Sequence, residues 1–321
     1  MFTMRNFNNN CFSVANAFII VASVSVCAVD ARQVTIPVVV DGVAGRNGSV
    51  WQTEVRILKL RLTEALQVRR AWVALPGGGF EDDPSTAPTW TSPAISEGYI
   101  IGPELILLVG SELFAGTGSK IGAVGLEIDG EADVNFRTVE TGGRPRLPQS
   151  GQPYQLCCFP GTGSLLSGFG PPISGVSHLP WLTLGNAAIR TNVTLINPTV
   201  SPVELEMFVD SYTCYGIGIG YCNLDEATPY WAQGGYAAET LDPISVPPFG
   251  WMQLSDVYSY LSLACPIGCP LPADVAPGVG VIFPQVEGSY DPNGQYYAYA
   301  TIIDDTTNSA MFEPAVPGFV E

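Results

Sequence analysis

The 321-residue chain carries 13 Lys and Arg against 30 Asp and Glu, a net charge of −17 and a pI near 4.2. So acidic a surface repels phosphate backbones and anionic headgroups, which excludes nucleic acid as a partner. With 46% hydrophobic and 13% charged residues, 35 Gly and 27 Pro, the composition excludes disorder and favours short strands joined by many turns.

Residues 1–31 read as a secretory signal. Arg5 is the only charged residue before an apolar run from Val14 to Val29, and small residues follow. Cleavage is expected after Ala31, with Ala28 as the alternative site. The run is shorter than the roughly 20 residues of a membrane span. The mature chain offers no second one, because Pro103, Glu104 and Glu112 interrupt the apolar stretch from Tyr99 to Phe114.

A first domain is expected over residues 32–160. Strands are read at Val34–Val40, at Ser49–Leu60 with Trp51, Val55 and Ile57 facing the core, and at Val68–Leu75. Gly77 to Pro93 reads as loop, and Leu105–Phe114 is the best helical stretch. Ile121–Ile128 and Asp133–Val139 read as a hairpin turning near Asp129-Gly130. Residues 161–180, rich in Gly, Pro and Ser, form a linker, and a second domain spans 181–321.

Three segments of the first part recur in order in the second. Trp51–Leu60 parallels Ile189–Pro198, Ile101–Phe114 parallels Val246–Leu261, and Ala123–Glu140 parallels Ala298–Ala315. The expected fold is therefore all-β: two tandem antiparallel β-sandwiches, Ig-like or jelly-roll-like, from a diverged internal repeat. The copies are unequal. All 13 basic residues lie at or before Arg190, whereas 15 acidic residues follow it.

The segments IPVVVDGVAGRNGSVWQTEVRIL (Ile36–Leu58), GTGSLLSG (Gly161–Gly168), RTNVTLINP (Arg190–Pro198) and IIDDTTNSAMFEPA (Ile302–Ala315) carry a resemblance. They resemble tandem β-sandwich modules secreted by environmental bacteria, whose activity is uncharacterised. The likeness spans most of the mature chain, although GTGSLLSG departs from the usual turn of those modules. It implies an extracytoplasmic β-sandwich and assigns no catalytic residue.

Cysteine usage agrees with export. Cys11 and Cys27 leave with the signal, and the even set that remains favours disulfides. Cys214 and Cys222 flank a Gly-rich loop, Cys265 and Cys269 close a short one, and Cys157 and Cys158 are vicinal. The pairing among them stays open. With a single His, a zinc site is disfavoured.

Catalytic motifs are missing. There is no G-x-S-x-G elbow or P-loop, and the lone His178 reads as a Pro-flanked loop residue. Glu204 and Glu206 share one face of a strand, the minimum a carboxylate hydrolase needs. Calcium ligands are sought at Asp291, Asn293, Asp304 and Asp305, and at Glu81-Asp82-Asp83, although such residues also simply make turns. Eleven of the 13 tyrosines follow residue 210. Tyr215 and Tyr221, beside the Cys214–Cys222 loop, are the candidate binding face, and in the strand Tyr297 and Tyr299 face one way and Tyr296 the other. Asn47 and Asn192 head N-glycosylation patterns.

The expectation is a non-enzymatic, secreted or cell-surface structural or interaction protein, self-assembling into a surface polymer. Its partners are copies of itself, another surface protein or a glycan, and it needs no cofactor. A glycan- or calcium-binding module is the alternative, and a carboxylate-dependent hydrolase the weaker one.

Overall fold

The computed structural model of the chain is all-β. It describes residues 31–44, 50–94, 105–141, 166–182, 189–211, 243–255, 257, 278–304 and 309–318. Among these residues no helix is long and apolar enough to cross a membrane.

The first half contains β1 (Arg32–Ala44), β2 (Val50–Lys59), β3 (Leu66–Ala74), β4 (Phe80–Glu81), β5 (Thr89–Ser92), β6 (Leu105–Val109), the single turn α1 (Gly110–Leu113), β7 (Ile121–Asp129) and β8 (Ala132–Glu140). All pairings are antiparallel. Strand β7 lies between β1 and β3, and β3 also holds the short strands β4 and β5; this is sheet I. Strand β2 lies between β6 and β8, forming sheet II. The two sheets are joined through β1, whose last residues leave β7 and pair with β2. The register shifts between Asp41 and Val43, at Gly42, whose φ of +64° favours glycine.

Alternation explains the burial. Ile36, Val68 and Val124 of sheet I meet Val55, Ile57 and Phe136 of sheet II in one core. Val68 and Val73 both enter it although an odd separation should put them on opposite faces. A bulge between Arg70 and Trp72 absorbs the extra residue.

A connecting segment follows, with β9 (Leu166–Ser167) and β10 (Ile173–Ser174). It pairs first with β8, then bridges β1 through mutual Thr35–Phe169 backbone bonds of 2.8 Å, and then pairs with a strand of the second half. The described part of the expected linker is thus sewn into the sheets.

The second half contains β11 (Ser177–Leu182), β12 (Ile189–Ile196), β13 (Val203–Ser211), β14 (Ile244–Val246), β15 (Trp251–Leu254), β16 (Gly278–Val286), β17 (Ser289–Tyr290), β18 (Gln295–Asp304), β19 (Ser309–Pro314) and β20 (Val316–Pro317). Here β12 lies between β15 and β18, with β19 and β10 also on β18; this is sheet III. Strand β16 lies between β11 and β13, with β14 on β13, β17 on β16 and β20 on β11; this is sheet IV. Leu195 and Ala298 of sheet III meet Leu205 and Ile282 of sheet IV in a second core.

The two halves share one pairing order. The centre β7 with β1 and β3 corresponds to β16 with β11 and β13, and β2 with β6 and β8 corresponds to β12 with β15 and β18. Sheets I and III meet through a third cluster, with Trp72, Ala74 and Ala123 against Ile196, Trp251 and Tyr299. Where they meet, sheets I and III are therefore buried on both faces, and Ala31–Glu321 forms one compact unit.

Several expectations are corrected. Strands β7 and β8 do not form a hairpin: they lie in sheets I and II. Both turn apolar residues into the same core, so Val134 and Phe136 belong across from Val124 and Leu126, not beside them. The third repeat echo is displaced by one strand, because pairing order matches β7 and β8 to β16 and β18 rather than to β18 and β19. The expected helix at Leu105–Phe114 is mostly β6, where Leu108 alternates into the core, with helix only at α1. The loop from Gly77 to Pro93 contains the edge strands β4 and β5, and His178 lies on β11.

Candidate functional site

The acidic candidates divide by what their oxygens already accept. Asp291 Oδ1 accepts the Asn293 N–H at 2.9 Å, which makes the pair a turn device. Asp304 ends β18, opposite Ile189, and Asp305 lies outside the described residues. Asp83 Oδ1 accepts the Ser85 N–H and hydroxyl at 2.8 and 2.7 Å, bonds that lower its pKa. Asp82 is consumed by Arg70. Among the described residues no three acidic, His or Cys side chains gather as a metal site would require. Glu204 and Glu206 do share a face of β13, Glu204 exposed and Glu206 half-buried, and desolvation raises the Glu206 pKa.

Cys157, Cys158, Cys214, Cys222, Cys265, Cys269, Tyr215 and Tyr221 lie outside the described residues. The glycosylation pattern at Asn192 falls on β12 with Asn192 and Thr194 both buried, which closes it to a glycan. Asn197, in the RTNVTLINP segment, is fully buried. Its Nδ2 donates to the Ser201, Val246 and Pro247 carbonyls, and its Oδ1 accepts the Thr199 N–H and hydroxyl. Asn197 is thus a brace for the β12–β13 turn.

Sequence reasoning missed the buried cations. Arg70, only 3% exposed, donates through Nε and Nη2 to Asp82 at 2.6 and 2.8 Å and through Nη1 to the Leu113 and Ala115 carbonyls. Its guanidinium also lies 5.8 Å from the Phe80 ring centre. Lys59, 2% exposed, donates to the Pro93 carbonyl at 2.6 Å and to Ser92. Arg69 pairs with Glu127, and Arg137 with Glu54. The only legible signal was a basic residue at an inward-facing strand position.

The strand tyrosines split as expected. Tyr296 enters the second core, where its hydroxyl lies 2.8 Å from Ser177 Oγ and 2.9 Å from the Gly175 and Ile282 carbonyls. Tyr297 and Tyr299 enter the third cluster. The Tyr297 hydroxyl donates to the Gly170 carbonyl at 3.0 Å and accepts from Thr35 at 2.9 Å, tying β18 to the connecting segment and to β1. The Tyr299 hydroxyl and Trp251 Nε1 are buried beside Thr194 without reaching hydrogen-bond geometry. Burial raises the pKa of all three tyrosines.

Two surface features remain. One is an apolar groove of about 550 Å³ between the connecting segment and β19, lined by Phe169, Pro171, Ile173, Phe312 and Pro314. Ser167 and Tyr297 are the residues of its lining that carry a side-chain hydroxyl. The other is the outer face of sheet II along β6. Leu105 and Leu107 are each 51% exposed there, beside Leu58 and Arg56 of β2, and Leu60 just past β2 is 56% exposed.

No family model, no curated protein and no solved structure matches this chain.

Proposed function

We propose that this protein is secreted, non-catalytic and structural, and that it associates with copies of itself at the cell surface or outside the cell. Its unit is a pair of tandem β-sandwiches from a diverged internal repeat, preceded by the signal of residues 1–31. The observation that carries this reading is the shared pairing order of two halves joined through an aromatic seam, with exposed leucines left on the outer face of sheet II.

The chemistry of the described side chains supports it. Arg70, Lys59, Asp82, Asp83 and Asn197 spend their polar atoms on holding strands and turns. Calcium binding has less support at the described candidates, because Asp82 and one oxygen each of Asp83 and Asp291 already accept protein donors.

Negative-stain microscopy and light scattering of native secreted material test the reading. Oligomers or ordered polymers are expected. Monodisperse monomer at high concentration overturns it, and a calcium-dependent rise in melting temperature would favour the ion-binding alternative.

A further inference from the structure

Sheet edges are where β-proteins join, because an edge presents a row of unpaired backbone donors and acceptors. Natural edges are kept short, charged or interrupted by proline. Most described edges here obey that rule. β4, β9, β10, β17 and β20 have two residues each, β14 has three, and β5 and β15 have four. β19 is longer but carries Glu313 and Pro314. β6 breaks the rule: among the described residues it pairs only with β2, and it runs for five residues, LILLV, without a charge or a proline, with its last N–H, at Val109, capped by Glu112 Oε2 at 2.9 Å. Its Ile106 and Leu108 turn toward the first core while Leu105 and Leu107 are half in water.

We propose that β6 is the self-association strand, pairing antiparallel with β6 of a second copy to join the two copies of sheet II. The inference rests on the self-association reading above and names its surface. A two-fold axis through Leu107 sets Leu107 against Leu107 of the second copy and Leu105 against Val109. The outer faces then share one aliphatic stripe, and Ile106 and Leu108 continue the buried face from one copy to the next.

Charge selects both the occupant and the place. Identical chains of net charge −17 repel each other, so self-association needs an interface far from the excess. The excess lies beyond Arg190, where 15 acidic residues stand without a basic one, whereas β6 lies in the nearly balanced part. Around β6, Arg56 and Arg137 share Glu54, Glu112 caps the Val109 N–H, and the strand itself is neutral. A strand with no charge is self-complementary, and a two-fold pairing there holds the acidic halves apart.

The test uses the full mature chain in sedimentation velocity across a concentration series. The native protein dimerises, and added salt strengthens the dimer by screening the net charge. Leu107→Lys sets two cations face to face, weakening the dimer on the order of a hundredfold. Its melting temperature stays near native because the site is half exposed. Met311→Lys, at a position 49% exposed on β19, leaves the dimer intact. Mixing L107K with Leu107→Glu restores a heterodimer, which only a 107-to-107 register allows. Oligomers that persist unchanged in L107K, or a mixture that stays monomeric, overturn the β6 assignment while leaving self-association standing. A native protein that remains monomeric at every concentration and salt overturns both.

Discussion

At the scale of single residues, the polar groups inside this fold act as ties. Arg70 joins β3, the segment after β4 and the turn after α1 through four hydrogen bonds. Removing one partner of a buried pair leaves an uncompensated charge, which costs about 3–5 kcal/mol. Asp82→Ala is expected to lose that much in urea unfolding. Replacing both partners, Arg70→Met with Asp82→Leu, recovers only part of it. The Leu113 and Ala115 carbonyls are then left without their donor, at roughly 1–3 kcal/mol. Full recovery by the double variant would show that the carbonyl bonds contribute nothing. The buried tyrosines set a second expectation. Burial raises Tyr296, Tyr297 and Tyr299 above their ordinary value of 10.0. Below that value both states are neutral and the stabilisation is complete. As pH rises above it, the unfolded phenols ionise while the folded ones stay protonated, so stability falls. The denaturation midpoint is therefore expected to stay flat to about pH 9.5 and drop steeply beyond. Tyr297→Phe should shallow that drop, and a pH-independent midpoint would contradict the burial argument.

At the scale of elements, most strands were legible because alternation sets burial along any strand whose register holds. The faces of Tyr296, Tyr297 and Tyr299 follow from that rule alone, as does the burial of Val55 and Ile57. What alternation cannot tell is the partner. Strands β7 and β8 are adjacent in sequence with a turn signal between them, which is equally good grammar for a hairpin and for an arch between two sheets. Gly130, with φ of +115°, serves the arch. Bulges hide for the same reason: the inserted residue at Arg70–Trp72 reverses the parity that sequence reading relies on. Candidate sites were less legible. Asp83 and Asp291 accept from residues two positions on, the turn pattern that the sequence also offers, whereas Asp82 accepts from Arg70 twelve positions back, a partner that leaves no local mark. Gly125 is such a hidden requirement. A Cβ there would lie 2.2 Å from the Trp72 indole, so the ring needs a glycine beneath it. Gly125→Ala is expected to cost about 1–3 kcal/mol by overpacking and to shift the tryptophan emission. An unchanged spectrum and midpoint would mean that the indole has room elsewhere.

At the scale of the whole molecule, the seam decides whether the halves behave as one body. Trp72 lies 6.4 Å from Phe249 and 6.5 Å from Tyr297, and Tyr299 stacks on Phe312 at 4.5 Å. Backbone bonds reinforce it, with Leu75 donating to the Phe249 carbonyl at 3.1 Å and accepting from Trp251 at 3.0 Å. Each aromatic so buried contributes roughly 1.5–3 kcal/mol. The outer face of sheet I carries Trp72, Ala74 and Ala123, whereas the corresponding outer face of sheet IV carries Glu204 and Glu206, which do not repeat the contact. With both sheets of the seam buried on each side, neither half unfolds without exposing the other, and the intact chain is expected to melt in a single calorimetric transition. Trp72→Ala removes the largest side chain of sheet I from the seam. It should cost about 3–5 kcal/mol and split the transition in two, with dye binding to the uncovered aromatic face between them. If the variant still melts once, at a temperature lowered by no more than an ordinary core truncation, then the cores couple through the connecting segment at Phe169 rather than through the seam. Tyr297→Phe, which frees that segment from its Gly170 bond, would then produce the split instead.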